Sequence, residues 1–228
     1  MSALDIDHRI GQEKILYFSC ARVAPIAVAL GAGVALGVIG PLAGKFDSPI
    51  CHAVALVFSG GWSWACFAFL VGYFRRSKIE SALLASSALA IGVVVYYLFK
   101  FLSPAAPIGL VISGGSGEGL TSRILVWGIA AFAFGAPVGL VGNLARTPGI
   151  AGLSFRLLVP LIAFIETSQR LRVEADSQGL IVDLTWNAIR VVAAVVAVAL
   201  VGHTMWSWRA RRSRPERRVG LGAAPKRL

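Results

Sequence analysis

Long apolar runs, separated by short polar segments, dominate the pattern of this chain. A helix needs about 20 residues, at 1.5 Å per residue, to cross the roughly 30 Å hydrocarbon layer of a bilayer. Six runs are read as spans, namely 22–44, 50–74, 80–102, 123–145, 150–167 and 184–206. The fifth run is the shortest and contains Arg156, whose side chain can snorkel toward the head groups. The pattern predicts an all-α fold, a polytopic membrane helix bundle with six transmembrane helices.

The composition supports a membrane-embedded chain and excludes an ordinary soluble domain. Of the 228 residues, 57% are hydrophobic and 14% are charged, whereas soluble domains have about 45–50% apolar and about 25% charged residues. The predicted bundle covers 22–206, between an N-terminal segment, 1–21, and a C-terminal tail, 207–228. We therefore expect no separate catalytic domain outside the bilayer.

The basic residues indicate the orientation of the bundle, because Lys and Arg in loops resist translocation across the membrane. Most of the 22 basic residues fall before the first run, in the loops at 75–78 and 146, and in the tail. The loops on the opposite side hold few of them. This distribution predicts that both termini are cytoplasmic, which requires an even number of spans such as six, and that the chain is a multi-pass protein of the cell (plasma) membrane.

The C-terminal tail, 207–228, supplies most of the net charge of +11. Its polar sequence, with Pro and Gly, is unsuited to a packed core, so we expect it to be disordered. Basic residues beside a membrane bind anionic lipid head groups, at about 1 kcal/mol per residue. Nucleic acid is an alternative partner, but no folded nucleic-acid module adjoins the tail. We therefore expect the lipid bilayer as partner, and no nucleic acid.

Small residues recur at a spacing of four in two of the predicted spans, which allows helix backbones to approach closely. In the first span they form two neighbouring faces. Such faces favour packing between helices of one chain, and a homodimer or a partner membrane subunit is the alternative use. The residues are Ala27, Gly31 and Ala35, then Ala29, Gly33 and Gly37, and in the fourth span Gly135 and Gly139.

Ionisable residues inside the last two spans are the strongest functional candidates, because such residues are costly in hydrocarbon and usually face the bundle interior or water. Asp183, Asn187 and Arg190 are spaced so that they share one face of the sixth helix. Arg190 would lie about 10 Å below the outer end of that helix. Glu166 and Arg170 are one turn apart near the same end of the fifth span. We expect Glu166 to pair with Arg190.

Aromatic residues in the second and third spans extend the same candidate site. Trp62 and Trp64 lie in the stretch SGGWSW in the middle of the second span, and Tyr96 and Tyr97 lie near the outer end of the third. Indole N–H groups in mid-membrane need partners, so these tryptophans either line a cavity or pack in the core. An outward-facing polar pocket is the functional interpretation, and a structural ion-pair network is the alternative. The candidate substrate-binding residues are Glu166, Arg170, Asp183, Asn187, Arg190, Tyr96, Tyr97, Trp62 and Trp64.

Further polar and aromatic residues lie near the ends of the spans. His52 and Lys100 are expected in the same outer leaflet as the candidate pocket. The other aromatic residues near span ends are interpreted as interfacial anchors. They are Tyr73, Phe74, Trp127, Trp186, Trp206 and Trp208.

No pattern for a metal, a cofactor or a disulfide framework is evident. The cysteines and histidines are scattered, without CxxC or HExxH spacing. The glycine-rich segment 103–122 lacks GK[ST] and a preceding strand, so it does not match a phosphate-binding loop. It is either a re-entrant segment, a lid or a plain loop. We expect no metal and no cofactor, and we assign no catalytic residue.

The second half of the chain carries a resemblance to a known family. The resemblance rests on four stretches, RILVWGIAAFAFGAPVGLVGNLAR, LLVPLIAFIETSQRL with Glu166, the last span from Trp186, and VVVYYLFKF in the third span. These stretches resemble a family of small actinobacterial integral membrane proteins of unknown function. The resemblance implies a six-helix arrangement and supports Glu166 as a candidate residue. It implies no activity, since none is assigned to the family.

Three classes of function fit these features. The first is a protein that binds or transports a small solute or an amphiphile, with Arg190 as anion anchor and Glu166 or Asp183 as counter-charge or proton carrier. The second is a membrane-embedded enzyme acting on a lipid or isoprenoid in the manner of terpene cyclases, where aromatic faces stabilise cations. The third is a membrane scaffold subunit. The pocket residues favour the first class.

Overall fold

The structure is a computed structural model that describes residues 3–103, 117–173 and 179–212. Within these ranges it consists of seven α-helices and contains no strand. Most of the glycine-rich segment 103–122 and of the tail lies outside the described residues, so the predictions for both remain open. The helices are α1 (Ala3–Ala43), α2 (Pro49–Ser59), α3 (Gly61–Tyr73), α4 (Lys78–Leu102), α5 (Gly117–Leu144), α6 (Ile150–Val173) and α7 (Leu180–Arg212).

The helices have the length and composition of a membrane bundle. Among the described residues, five helices are long and apolar enough to cross a bilayer, and the count rises to six if the bent pair α2 and α3 forms one span. The all-α prediction is therefore confirmed for the described residues, and the length and composition of the helices are consistent with a membrane bundle. The second predicted run, 50–74, is not one straight helix. It bends by 65° between α2 and α3, because Gly60 has extended backbone (φ −72°, ψ 139°) that interrupts the helix.

Several helices extend beyond the predicted apolar runs. The first begins at Ala3, inside the predicted N-terminal segment, and α7 continues to Arg212, inside the predicted tail. The fifth predicted run ends at 167, whereas α6 continues to Val173 with Arg170 and Arg172 in its last turn. Cations are favourable there because the C-terminus of a helix carries a partial negative charge. The helices thus include charged residues at their ends that hydropathy alone excludes from a span.

Glycines of α1 lie directly against the backbone of α4. A Cβ atom on Gly33 would collide with the carbonyl group of Ala88, and one on Gly37 would collide with that of Gly92. The predicted small-residue face that contains Gly33 and Gly37 is therefore confirmed as a packing face. The neighbouring predicted face is exposed, and a Cβ atom on Gly31 would meet nothing within 4 Å. The described helices use only one of the two faces.

Helix α5 approaches α4 in the same way. A Cβ atom on Gly135 would lie 2.7 Å from the Cα atom of Ser86, and one on Gly139 would lie 2.6 Å from the Cβ atom of Ala85. Since lipid provides no hydrophobic incentive for helices to associate, close contact of this kind must stabilise the pair. The predicted role of the small residues in the fourth span is confirmed.

Polar contacts at the two ends of the bundle show which loops lie together. At one end, here called the Lys45 end, Lys45 Nζ donates to Ser103 Oγ. At the other, the Arg75 end, the carbonyl oxygen of Arg75 accepts from Asn143 Nδ2 at 2.5 Å and from Arg146 Nη1 at 2.8 Å. The helices between these loops therefore run alternately from one end to the other.

Arg156 reaches the loop at the Arg75 end. Its Nε atom donates to the carbonyl oxygen of Ala145 at 2.7 Å, and its Nη2 atom donates to that of Thr147 at 3.2 Å. These carbonyl groups follow the last turn of α5, where no helical N–H group is available. Arg156 thus stabilises the α5–α6 connection and takes no part in the cavity described below.

Candidate functional site

The break between α2 and α3 creates a demand for hydrogen bonds inside the bundle. The first N–H groups of a helix and the last C=O groups have no partner within that helix. At membrane depth water does not supply these partners, so irregular backbone is tolerated only where protein or a cavity provides them. The surroundings of Gly60 provide them from two directions, one local and one from a distant helix.

The distant partner is the carboxylate of Glu166 on α6. Its Oε1 atom accepts from the backbone N–H group of Gly61 at 2.9 Å, and its Oε2 atom accepts from that of Trp62 at 2.8 Å. The Nε atom of Arg170 also donates to Oε1, at 3.2 Å. A carboxylate at a helix N-terminus is favourable because that end carries a partial positive charge. Glu166 therefore completes α3 and fixes it against α6.

The predicted pair between Glu166 and Arg190 is wrong. Glu166 pairs with Arg170, which lies one turn later on the same helix. The two N–H groups exposed by the break donate to the same carboxylate, one to each oxygen. A straight helix over 50–74 would use these N–H groups in its own hydrogen bonds. The sequence therefore did not predict that they would bind Glu166.

The local partners come from the SGGWSW stretch itself. The indole Nε1 atom of Trp64 donates to the carbonyl oxygen of Phe58 at 3.0 Å, near the end of α2. The hydroxyl group of Ser63 donates to the carbonyl oxygen of Gly60 at 2.7 Å. The expectation that the indole N–H needs a partner in mid-membrane is confirmed for Trp64. The stretch thus breaks the helix and satisfies two of the carbonyl groups that the break exposes.

Trp62 has a different environment. Its ring lies against the break, since a Cβ atom on Gly60 would be 2.7 Å from the indole Nε1 atom. That nitrogen is buried and has no hydrogen-bond partner among the described residues. Trp62 is not part of the lining of the main cavity. Packing against the break is therefore the role that the structure gives this side chain.

A cavity of about 590 Å³ lies between α3, α4, α5 and α6, next to the break. This volume falls in the range of about 300–1,000 Å³ that is usual for small-molecule sites. Its polar lining includes Glu166, Arg170 and Ser59. Its aromatic lining consists of Phe58, Trp64, Tyr96, Tyr97, Trp127 and Phe134.

The aromatic side chains of the cavity contact one another edge to face. The ring centroids of Trp64 and Tyr96 are 6.2 Å apart, and those of Tyr96 and Tyr97 are 5.2 Å apart. The rings are nearly perpendicular in both pairs, at 82° and 85°. This arrangement is the one that aromatic pairs prefer. It gives the cavity a wall with a defined shape.

The polar and apolar lining residues are separated along the bundle axis. Arg170 is about 5 Å and Tyr97 about 8 Å from the last residues of their helices at the Lys45 end. Val138 lines the other part of the cavity, about 9 Å from the Arg75 end. One end of the cavity is therefore polar, and the other is apolar.

Five of the nine predicted binding residues line this cavity, and four do not. Asp183, Asn187 and Arg190 share one face of α7, as predicted, but they bind one another. Asn187 Nδ2 donates to Asp183 Oδ1 at 2.9 Å, and Arg190 Nη2 donates to Asn187 Oδ1 at 2.7 Å. The residues that line the cavity are Glu166, Arg170, Tyr96, Tyr97 and Trp64, and the fourth residue outside its lining is Trp62.

Trp186 is not an interfacial anchor, contrary to the prediction. Its side chain is fully buried, and the guanidinium carbon of Arg170 lies 4.9 Å from its ring centroid. A cation above an indole face is attracted by the ring quadrupole. Trp186 on α7 therefore holds Arg170 in the position from which it contacts Glu166.

The aromatic residues of α5 were missed as cavity residues. Trp127 and Phe134 lie seven positions apart on one face of the helix, with Ala131 and Val138 on the same face. This spacing is visible in the sequence. On a helix that is apolar all round, however, the face toward a cavity has the same composition as the face toward lipid.

Comparisons with protein families, with curated proteins and with solved structures find no match for this chain. The resemblance of its second half to small actinobacterial membrane proteins thus stays a prediction. Within the described residues, no group of three or more His, Cys, Asp or Glu side chains is placed to hold a metal ion.

Proposed function

We propose that this protein binds an amphiphile, with the apolar part of the ligand in the aromatic cavity and its polar part toward the Lys45 end. The observation that carries the proposal is the separation of polar and apolar lining within one cavity of about 590 Å³. A small polar solute would leave the aromatic wall without a partner. Transport of the amphiphile across the membrane is the wider function that such binding would serve.

The position of the cavity supports entry from the lipid side. Trp127 and Phe134 line the cavity and are also 56% and 70% exposed. The cavity therefore reaches the surface of the bundle along α5. That surface is apolar and belongs to a helix long enough to cross a bilayer. A lipid-like molecule could enter there without passing through water.

The geometry gives less support to an enzyme that starts a carbocation cascade with a carboxylic acid. Its aromatic rings would suit a cation, but the acid must carry a proton that it can donate. Each oxygen of Glu166 instead accepts from N–H groups. The carboxylate is therefore occupied as an acceptor that caps α3, and we propose no acid chemistry for it.

Filling the cavity should weaken binding strongly. Ala130 lines the cavity and Ala133 lies exposed on the same helix outside the lining. We expect Ala130→Phe to weaken binding of a single-chain amphiphile by about tenfold or more, because the added ring occupies ligand volume. Saturable binding of a radiolabelled amphiphile to protein in lipid nanodiscs measures the effect.

The matched variant Ala133→Phe should bind as the wild type does. It adds the same ring to the same helix on a face that points away from the cavity. Equal loss in both variants, or binding unchanged in both, would contradict the proposed site. Arg190→Leu should also leave binding unchanged, since Arg190 does not line the cavity.

We further propose that the Arg75 end and both termini are cytoplasmic, in a plasma membrane protein. The basic loops at 75–78 and 146 support this orientation. A reporter fused after Ser77 or at Leu228 should read inside, and one fused after Ser177 should read outside. The opposite pattern would place the polar end of the cavity on the cytoplasmic side.

A further inference from the structure

A second, smaller cavity adjoins the first one at the Lys45 end. Its volume is about 270 Å³, and it lies between the end of α1, helix α2 and the end of α4. Ser59 and Tyr96 line both cavities. The smaller cavity therefore continues the polar end of the aromatic cavity toward the surface of the bundle.

Basic groups lie in the lining of this small cavity and beside it. Lys100 and His52 are among its lining residues. The ammonium group of Lys100 lies 5.6 Å from the ring centroid of Tyr96. That of Lys45 lies 5.2 Å from the ring centroid of Phe99. Because each cation is attracted by the face of a ring, both are held near the end of α4 rather than spread into solvent.

Negative charge is scarce in the same place. None of the residues that line the small cavity is acidic. Within the ranges that the structure describes, neither Lys45 nor Lys100 forms an ion pair with a carboxylate, although Asp47 lies exposed in the adjacent loop. Glu166 lines only the larger cavity and already pairs with Arg170. The ammonium group of Lys100, which lines the small cavity, and that of Lys45, which contacts the lining residue Ser103, are thus available to a ligand.

We propose that the small cavity binds an anionic head group, a phosphate or a carboxylate, of the amphiphile whose apolar part occupies the aromatic cavity. This inference rests on the proposed function and names the chemical class of its ligand. Lys100 and Lys45 supply the charge, and Ser103 supplies a hydroxyl group that already contacts Lys45. Charge-assisted hydrogen bonds of this type are the strong ones in proteins.

The two residues that line both cavities, Ser59 and Tyr96, explain how one molecule could occupy both. The ring of Tyr96 lies edge to face with that of Trp64 on the aromatic side and has the ammonium group of Lys100 near it on the other. A ligand that passes Tyr96 and Ser59 therefore moves from aromatic to basic surroundings. A cationic head group would meet two ammonium groups there, whereas an anionic one would offset them.

The test compares single-chain amphiphiles of equal chain length that carry a phosphate, a hydroxyl or a quaternary ammonium head group. Binding is measured with full-length protein in nanodiscs of uncharged lipid. The wild type should bind the phosphate form roughly tenfold more tightly than the hydroxyl form, and the ammonium form most weakly. The double variant Lys45→Gln with Lys100→Gln should lose this preference and retain binding of the hydroxyl form.

Lys78→Gln is the matched control, since Lys78 is an exposed residue at the opposite end of α4. It should preserve the preference for phosphate. Inorganic phosphate at equal concentration should not displace the phosphate amphiphile, because it lacks the apolar part. Complete displacement would identify free phosphate as the ligand and overturn the inference.

The other outcomes separate this inference from the proposed function. Equal binding of the phosphate and hydroxyl forms, or a preference that survives in the double variant, would overturn the anionic head group and leave the aromatic site intact. Absence of saturable binding for all three amphiphiles, or saturable binding that is indifferent to Ala130→Phe, would overturn the proposed function itself.

Discussion

Glu166→Ala should destabilise the folded protein by about 2 kcal/mol, because it removes the acceptor of two backbone N–H groups that each cost about 1–3 kcal/mol when buried without a partner. The lower part of that range applies, since Gly61 is exposed and the Glu166 side chain is 21% exposed, so the site is not fully buried. The variant also leaves Arg170 without its carboxylate. We expect the loss to appear as a lower midpoint when the detergent-solubilised protein is unfolded with increasing SDS.

Glu166→Gln separates charge from hydrogen bonding in the same measurement. Its amide oxygen can accept from one of the two N–H groups at Gly61 and Trp62. Its NH₂ group is a donor and cannot accept from the second N–H group. An intermediate midpoint is therefore expected. Gln169→Ala, at an exposed position on the same helix, should match the wild type. If Glu166→Ala behaved like Gln169→Ala, the capping role of the carboxylate would be disproved.

Gly135→Ala should also destabilise the protein strongly, by about 1–3 kcal/mol, the usual cost of overpacking a closely packed interface. The new Cβ atom would lie 2.7 Å from the Cα atom and 3.0 Å from the backbone nitrogen of Ser86. Neither backbone atom can move without displacing α4 as a whole. The same unfolding titration measures the effect, and a shift in elution on size exclusion would report any loss of compact structure.

The control for this substitution is Gly128→Ala on the same helix. A Cβ atom at Gly128 would meet nothing within 4 Å, and alanine favours a helix over glycine by up to about 1 kcal/mol. Gly128→Ala should therefore be neutral or slightly stabilising. Equal midpoints for the two variants would contradict the close approach of α4 and α5.

The helical architecture was predictable because the length of each apolar run is by itself sufficient to indicate a helix. The runs at 80–102 and 123–145 correspond closely to α4 and α5, since backbone hydrogen bonds in lipid are satisfied within the helix and length alone identifies a span. The bend at Gly60 was not predicted. Two adjacent glycines permit a break but do not require one, and here the break depends on a carboxylate from α6.

The candidate site was predictable only in part. The position of Glu166 in an apolar helix singled it out in the sequence, but its partners follow from the bend and could not be predicted from spacing. The face with Asp183, Asn187 and Arg190 was placed correctly on α7. It was wrongly assigned to the pocket, because spacing along a helix does not show which neighbour that face meets. Trp186 was likewise predicted as an interfacial anchor, and its burial against Arg170 could not be predicted from its position at the end of a span.

The hydrogen bonds at the break also bear on the order in which this chain can be assembled during synthesis. Glu166 lies 105 residues after Gly61 along the chain, so the ribosome completes α3 long before it makes the carboxylate that caps it. Until α6 has entered the membrane, the first amides of α3 must rely on water or on the translocation machinery. Final docking of α3 is consequently a late event in biogenesis, and a nascent chain arrested before α6 would leave these amides open to quality-control proteases.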